Sequence, residues 1–173
     1  MKRTSAFPFG SARSLRSVLT LAAALWFAFT PRVAHAAAFE SAVRGLASHD
    51  MDQVTEAVRT LGGLGDPRAL VVLRALDSDH LRVDAAGGVY VQDGTTLHDA
   101  ATGRVAEPAA DDSPIVDNEI RRALGPALSA LELGSPNVAV RRAAAADIAK
   151  RPQNSLVPIV KKALASETDK EIR

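Results

Sequence analysis

The chain has 173 residues, 47% hydrophobic, 24% charged and none of them cysteine, which is a globular composition for one domain or one domain behind a leader. The lack of cysteine excludes a disulfide scaffold, a thiolate zinc site and a cysteine nucleophile. The formal net charge of +1 hides an uneven spread: residues 1–36 hold five basic side chains and no acidic one, leaving 16 basic against 20 acidic, a net of −4, for the rest. That sign suits nucleic acid poorly, because neutralising phosphates supplies much of the affinity there.

Residues 1–36 have the three parts of a secretory signal peptide. A basic region ends at Arg16, an apolar core runs from Val18 to Thr30, Pro31 breaks it, and Ala34-His35-Ala36 forms an A-x-A cleavage site. The apolar run is shorter than the roughly 20 residues that a spanning helix needs. Cleavage after Ala36 and a periplasmic location are therefore expected. The alternative is an uncleaved anchor, with Val33 to Phe39 prolonging the span; no other segment reads as membrane-crossing.

A first helical unit is expected over residues 37–86. Phe39, Ala42, Val43 and Leu46 make one helical stripe, and Val54, Ala57, Val58 and Leu61 a second at i, i+3, i+4, i+7. Asp50 to Gln53 has capping-box spacing. Gly62, Gly63 and Gly65 are expected to stop that helix, and Asp66-Pro67 to restart the chain as N-cap and first helical position. Ala69, Leu70, Leu73 and Leu76 carry the third stripe. Asp79-His80-Leu81-Arg82 reads as the opening of a further helix, diverted at Gly87-Gly88.

Residues 87–115 then change period. Val89-Tyr90-Val91 and Thr95-Thr96-Leu97 are β-prone and flank a hairpin signal at Asp93-Gly94. Thr102-Gly103 makes a second turn, Arg104-Val105 a third short strand, and Glu107 to Pro114 a loop. A β-hairpin insert in a helical stack is the reading.

The second helical unit, residues 116–173, resumes with Ile120, Leu124, Leu128 and Leu131. Pro126 inside that run predicts a kink or break near Arg122 to Gly125. Ser135 caps the next helix with Pro136 at its first position, and Asn154 caps a last one bearing Leu156, Ile159, Val160, Ala163 and Leu164. Such a pair implies stacked neighbours. Asp169-Lys170-Glu171-Ile172-Arg173 repeats the pattern of Asn137 to Arg141 at an offset of 32 residues. An incomplete repeat is expected there, from a protein that continues past Arg173 or is a truncated relic.

Candidate chemistry is sparse. His35 leaves with the leader, and His49, His80 and His98 have no HxH or HxxxH spacing, so no metal ligands are assigned. Ser48-His49-Asp50 holds triad residue types without triad geometry, and Asp50 serves better as a cap. Asp111, Asp112 and Asp117 lack calcium-loop spacing. Arg121-Arg122, Arg141-Arg142 and Lys161-Lys162 read as solvated helix edges without interleaved aromatic residues. The glycines form no GxGxxG or Walker pattern. No catalytic residue, cofactor site or covalent cofactor is expected, and the chain reads as a non-enzyme. A hydrolase assembled from Asp99, Asp111 and His98 is the remote alternative.

Leu64-Gly65-Asp66-Pro67-Arg68-Ala69-Leu70 resembles the signature of HEAT-like repeats. A distinctive order follows: a signal peptide, that repeat, and a β insert ending in Leu97-His98-Asp99-Ala100-Ala101-Thr102-Gly103. Next come Asn118-Glu119-Ile120-Arg121-Arg122-Ala123-Leu124, then Ser135-Pro136-Asn137-Val138-Ala139-Val140-Arg141. This is similar to the N-terminal extracytoplasmic extension of the urea ABC transporter permease, the branched-chain-amino-acid-type permease subunit. The resemblance implies a mostly α fold of HEAT-like helix pairs. It also implies an accessory module of urea uptake at the inner membrane, meeting the permease and the periplasmic urea-binding protein. The permease's membrane helices are not in this chain, so no urea-binding residue is named. A free-standing periplasmic HEAT-repeat interaction module unrelated to urea is the alternative.

Overall fold

The computed structural model describes residues 30–173. Most of the expected signal peptide lies outside those residues. Residues 30–35 belong to an N-terminal unit, and Ala36–Arg173 forms a compact unit of its own. Among the described residues the chain is mostly helical, with one small antiparallel sheet. Its helices are α1 (Thr30–Gly45), α2 (Met51–Leu64), α3 (Pro67–Asp77), α4 (Asn118–Glu132), α5 (Val138–Lys150) and α6 (Val157–Ser166). The strands are β1 (Leu81–Val83), β2 (Val89–Asp93), β3 (Thr96–Asp99) and β4 (Val105–Ala106), hydrogen-bonded in the order β1-β2-β3-β4. None of the described helices is long and apolar enough to cross a membrane.

Helix starts are written in Asp and Asn, whose side-chain oxygens satisfy the N–H groups left open at a first turn. Asp50 accepts from Asp52 N at 2.9 Å, Asp66 from Arg68 N at 3.0 Å, Asp117 from Glu119 N and Ile120 N at 2.8 Å, and Asn137 from Ala139 N at 2.9 Å. The expected cap at Ser135 is corrected: α5 begins at Val138 and Asn137 caps it, while Ser135 Oγ accepts from Asn137 N. An amide oxygen two residues before the second helical N–H reaches it better than a hydroxyl on the far side of Pro136. Asn154 likewise caps nothing; Asn154–Leu156 is a 3₁₀ turn leading into α6, whose first turn has no side-chain cap.

Asp79 marks a larger difference. Instead of opening a helix it ends one. It takes φ of 58°, the left-handed conformation that Asp tolerates better than most residues, and His80 N reaches back to Ala75 O at 2.8 Å. The chain leaves α3 in the extended direction, so Leu81–Val83 becomes a strand. The sheet thus starts inside the expected first helical unit. The hairpin turn is also shifted. Asp93 pairs with Thr96, and Gly94-Thr95 forms the loop with φ of 59° at Gly94, the first-position glycine of a II′ turn.

Helix α4 is the centre of the core. It packs most extensively on α2 and also on α3 and α5. Ile120, Leu124, Ala127 and Leu131 of α4 are buried with Val54, Val58, Leu61, Val72, Leu73 and Phe39. Each fully buried Leu, Ile or Val contributes about 1.5–3 kcal/mol relative to exposure. Every buried apolar residue of the described chain lies between Phe39 and Leu156, so the unit Ala36–Arg173 contains its own core. No break occurs at Pro126, which sits inside α4. Burial of the stripe on both sides of Pro126 outweighs one missing hydrogen bond.

Gly62 and Gly63 do not stop α2, which runs on to Leu64. Gly62 is there because α4 passes against it: a Cβ at this position would lie 2.6 Å from Ala127 Cβ and 2.8 Å from its Cα. Gly62→Ala should therefore lower stability by about 1–3 kcal/mol. Adding Ala127→Gly should return part of that loss. Urea denaturation of the two variants checks this; a neutral Gly62→Ala would show that the helices separate freely.

The C-terminal helices are held differently. Alanine-rich α5 buries only Ala144, and α6 buries nothing, although Leu156 just before it is buried. Their apolar burial is small and a polar tie compensates. Glu167 accepts from Arg141 Nε at 2.7 Å, Arg141 Nη2 at 3.1 Å, Thr168 N at 2.9 Å and Asp169 N at 2.8 Å. The Arg141 guanidinium, followed by the Asp169 N–H, holds the Glu167 carboxyl down to about 2, against an ordinary 4.5. A depressed carboxyl stabilises the fold fully above its ordinary range, and the contribution is lost as pH falls through the depressed value. Residues 138–173 should thus loosen between pH 4.5 and about 2, and Glu167→Gln should loosen them at neutral pH and erase that dependence. Amide NMR spectra against pH are the readout; wild-type C-terminal signals unmoved down to pH 2 would refute the tie.

Candidate functional site

An open cleft of about 660 Å³ lies between α3 and the β2–β3 hairpin. The pleat explains its floor. Leu81, Val91, His98 and Val105 stand opposite one another across the four strands, so they share a face. That face meets α3, which brings Val71, Val72 and Ala75 to the cleft. Val71 is 59% exposed at the lip. A mainly apolar cleft with a few polar groups is the usual form of a binding site, and its volume fits a drug-sized group or several side chains.

Most polar groups around it are tied into the fold. Arg68 donates from Nε and Nη2 to the Asp66 carboxylate at 3.1 and 2.8 Å, and from Nη1 to Ala101 O at 3.1 Å. Its guanidinium lies 4.1 Å from the centroid of the Phe39 ring. The bond to Asp66 raises its pKa and keeps it charged. One side chain thereby joins α1, the start of α3 and the loop after β3. Arg74 pairs with Glu132 at 2.8 Å, and His80 Nδ1 meets Ser78 Oγ at 2.9 Å. Asp99 accepts from Thr102 N and Oγ1, both at 2.7 Å, closing the turn after β3. Gln92 Nε2 donates to Gly94 O at 3.0 Å, which leaves Gln92 Oε1 buried without a partner.

At the far end of the sheet, Asp84 organises the β1–β2 loop. It accepts from Ala86 N, Gly88 N and Tyr90 Oη at 2.9, 2.7 and 2.7 Å. The Tyr90 hydroxyl is the main cause of the lowered Asp84 pKa, and Asp84 in turn raises that of Tyr90. Gly88 lies beneath this pair; a Cβ there would sit 2.5 Å from Tyr90 Oη.

The structure does not assemble the hydrolase grouping. His98 and Asp99 line the cleft, but their side chains leave opposite faces of β3, and Asp111 is not among the lining residues. Ser48 Oγ accepts from Asp50 N and Asp50 caps α2, so these two residues are also structural. Among the described residues no three His, Asp or Glu stand where they would hold a metal ion. Arg141 and Arg142 are paired with Glu167, Asp169 and Glu171, whereas Lys161 and Lys162 are exposed and form no ion pair among the described residues. The cleft itself had a trace in the sequence. The unbroken apolar run Ala69 to Leu73 puts Val71 on the side of α3 away from the Leu73–Leu76 stripe.

Comparison with family models, with curated proteins and with solved structures finds no match to this chain.

Because Arg68 joins three elements, Arg68→Ala should cost about 1–3 kcal/mol, from the lost ion pair to the largely buried Asp66 and the lost cation–π contact. Arg68→Lys should recover only a minor part, since an ammonium has no planar fork. Thermal melts of the two variants measure this; equal and negligible losses would show that the clamp adds nothing.

Proposed function

We propose that this chain is an extracytoplasmic interaction module, built of HEAT-like helix pairs around a β insert, and an accessory part of a urea ABC transporter permease. The observation that carries the first half is the state of the cleft. Arg68, Arg74, His80 and Asp99 are engaged in structural bonds, which leaves mainly shape and apolar surface beside the uncommitted His98 and Asp93. On this reading the chain binds a partner and catalyses nothing.

The packed helix pair α2–α3, with α4 against both, supports the repeat reading. So does the shared use of Asp or Asn caps at the repeat starts. Urea transport rests on the order of motifs alone, from the signal peptide through Asp66-Pro67 and Thr102-Gly103 to Ser135-Pro136. The partners it implies are the membrane permease and the periplasmic urea-binding protein.

An in-frame deletion of the codons for residues 37–173 tests it. Uptake of labelled urea by the host should fall several-fold while growth on ammonium is unchanged. Undiminished uptake would remove urea from the account and leave a periplasmic interaction module with another partner.

A further inference from the structure

The charges of the folded unit are sorted by place. Residues 77–117, which include the whole sheet, carry nine acidic and two basic side chains; residues 136–173 carry eight basic and four acidic. All four acids of the second set are paired: Asp147 with Lys150, Glu167 with Arg141, and Asp169 and Glu171 with Arg142. Arg151, Lys161, Lys162, Lys170 and Arg173 are exposed and form no ion pair among the described residues. On the acidic side, Asp77, Asp93, Glu107, Asp111 and Asp112 are exposed and equally without one.

Each of these regions also holds exposed apolar surface. On α6, Val157, Lys161 and Leu164 follow at i, i+4, i+7, one stripe about 10 Å long. Its two aliphatic ends are 44% and 43% exposed. The cleft between α3 and the hairpin has Val71, Val72, Ala75 and Val91 inside; on its α3 side Arg68 and Arg74 are each paired with a carboxylate, and on the hairpin side Asp93 is not. A ridge with a central cation and a trough with a rim carboxylate are complementary.

We propose that the molecule associates head to tail with a second copy of itself, the Val157–Lys161–Leu164 ridge of one copy seated in the α3–hairpin cleft of the next. Val157 and Leu164 cover Val71 and Val91, and the Lys161 ammonium faces Asp93. The two faces are different patches, so the contact is heterologous and repeats into rings or open chains instead of closing as a symmetric dimer. An anionic membrane fits the basic face less well. Residues 37–173 are net negative, and residues 136–173 contain no Phe, Tyr or Trp to anchor at a lipid interface. This inference is independent of urea transport.

Sedimentation equilibrium of residues 36–173, which contain the whole core, decides it. At about 50 mM salt the average mass of the wild type should rise with concentration past that of a dimer, and at about 500 mM salt it should return toward the monomer. Lys161→Glu/Lys162→Glu removes the ridge, and Val71→Lys/Asp93→Lys blocks the cleft. Each variant alone should be monomeric with an unchanged circular dichroism spectrum. Their equimolar mixture, which pairs one intact cleft with one intact ridge, should form a dimer and nothing larger. A wild type that is monomeric throughout overturns the proposal even if the variants do not fold. So does association that survives both pairs of substitutions, a mixture that stays monomeric, or a monomer whose basic face binds only phosphatidylglycerol vesicles.

Discussion

The fold depends on how closely α4 approaches α2. At Gly62 and Ala127 the two backbones are separated by little more than a methyl group. That spacing lets the Ile120–Leu124–Ala127–Leu131 stripe reach between α2 and α3. Glycine weakens a helix interior by about 1 kcal/mol relative to alanine. The loss is offset by several fully buried aliphatic side chains on either side of the contact. Once α4 is seated, α3 is fixed by the Arg74–Glu132 pair at one end and by the Arg68 clamp at the other. The sheet is then positioned by α3, since Leu81 and Val89 bury against it, and the cleft is what remains between them. The candidate site thus follows from how α3 and the sheet pack against the helices.

How much of this was legible in the residues varies with the kind of signal. Stripes with a strong helical period, such as Val54 to Leu61, mark the helices they form. Asp66-Pro67 also does what it suggests, because capping is decided within three residues. Signals that depend on what a segment meets in space were misleading. Gly62 looks like a stop, but it allows a close approach that only α4 explains. Asp79 looks like a cap, yet its left-handed backbone ends α3, and the same residue type serves either purpose. Pro126 should interrupt a helix; the burial of Leu124 and Leu131 around it prevails. The hairpin was visible as two β-prone runs, but its register follows the glycine at the first turn position rather than the Asp-Gly pair. Of the cleft, the sequence held only an apolar run too long for one helix face, since the hairpin that forms its other wall is paired through contacts unrelated to α3.

The function was less legible than the fold for a physical reason. Catalytic chemistry often leaves compact marks, such as a nucleophile beside its base or ligands at fixed spacing, and the sequence reading found no such pattern. Its informative surface features are distributed. The acidic residues around the sheet and the basic residues of the last helices are ordinary one by one. They acquire meaning through their separation into two regions and through the apolar surfaces they border.

The uneven burial of the two halves bears on cooperativity. The part from α1 to α4 is joined by one continuous apolar core, so no piece of it can leave without exposing the rest. The α5–α6 end is attached by Ala144 and Leu156, a far smaller surface, while the Arg141–Glu167 tie joins α5 to the end of α6. Such a molecule has two free energies of opening instead of one. The smaller governs a partial excursion in which the last helices detach while the sheet and the four preceding helices stay folded, and the larger governs global unfolding. The segment bearing the exposed aliphatic ridge is therefore also the segment the protein releases most readily, so anything that seats that ridge raises the lower of the two free energies and makes the molecule behave as one cooperative body.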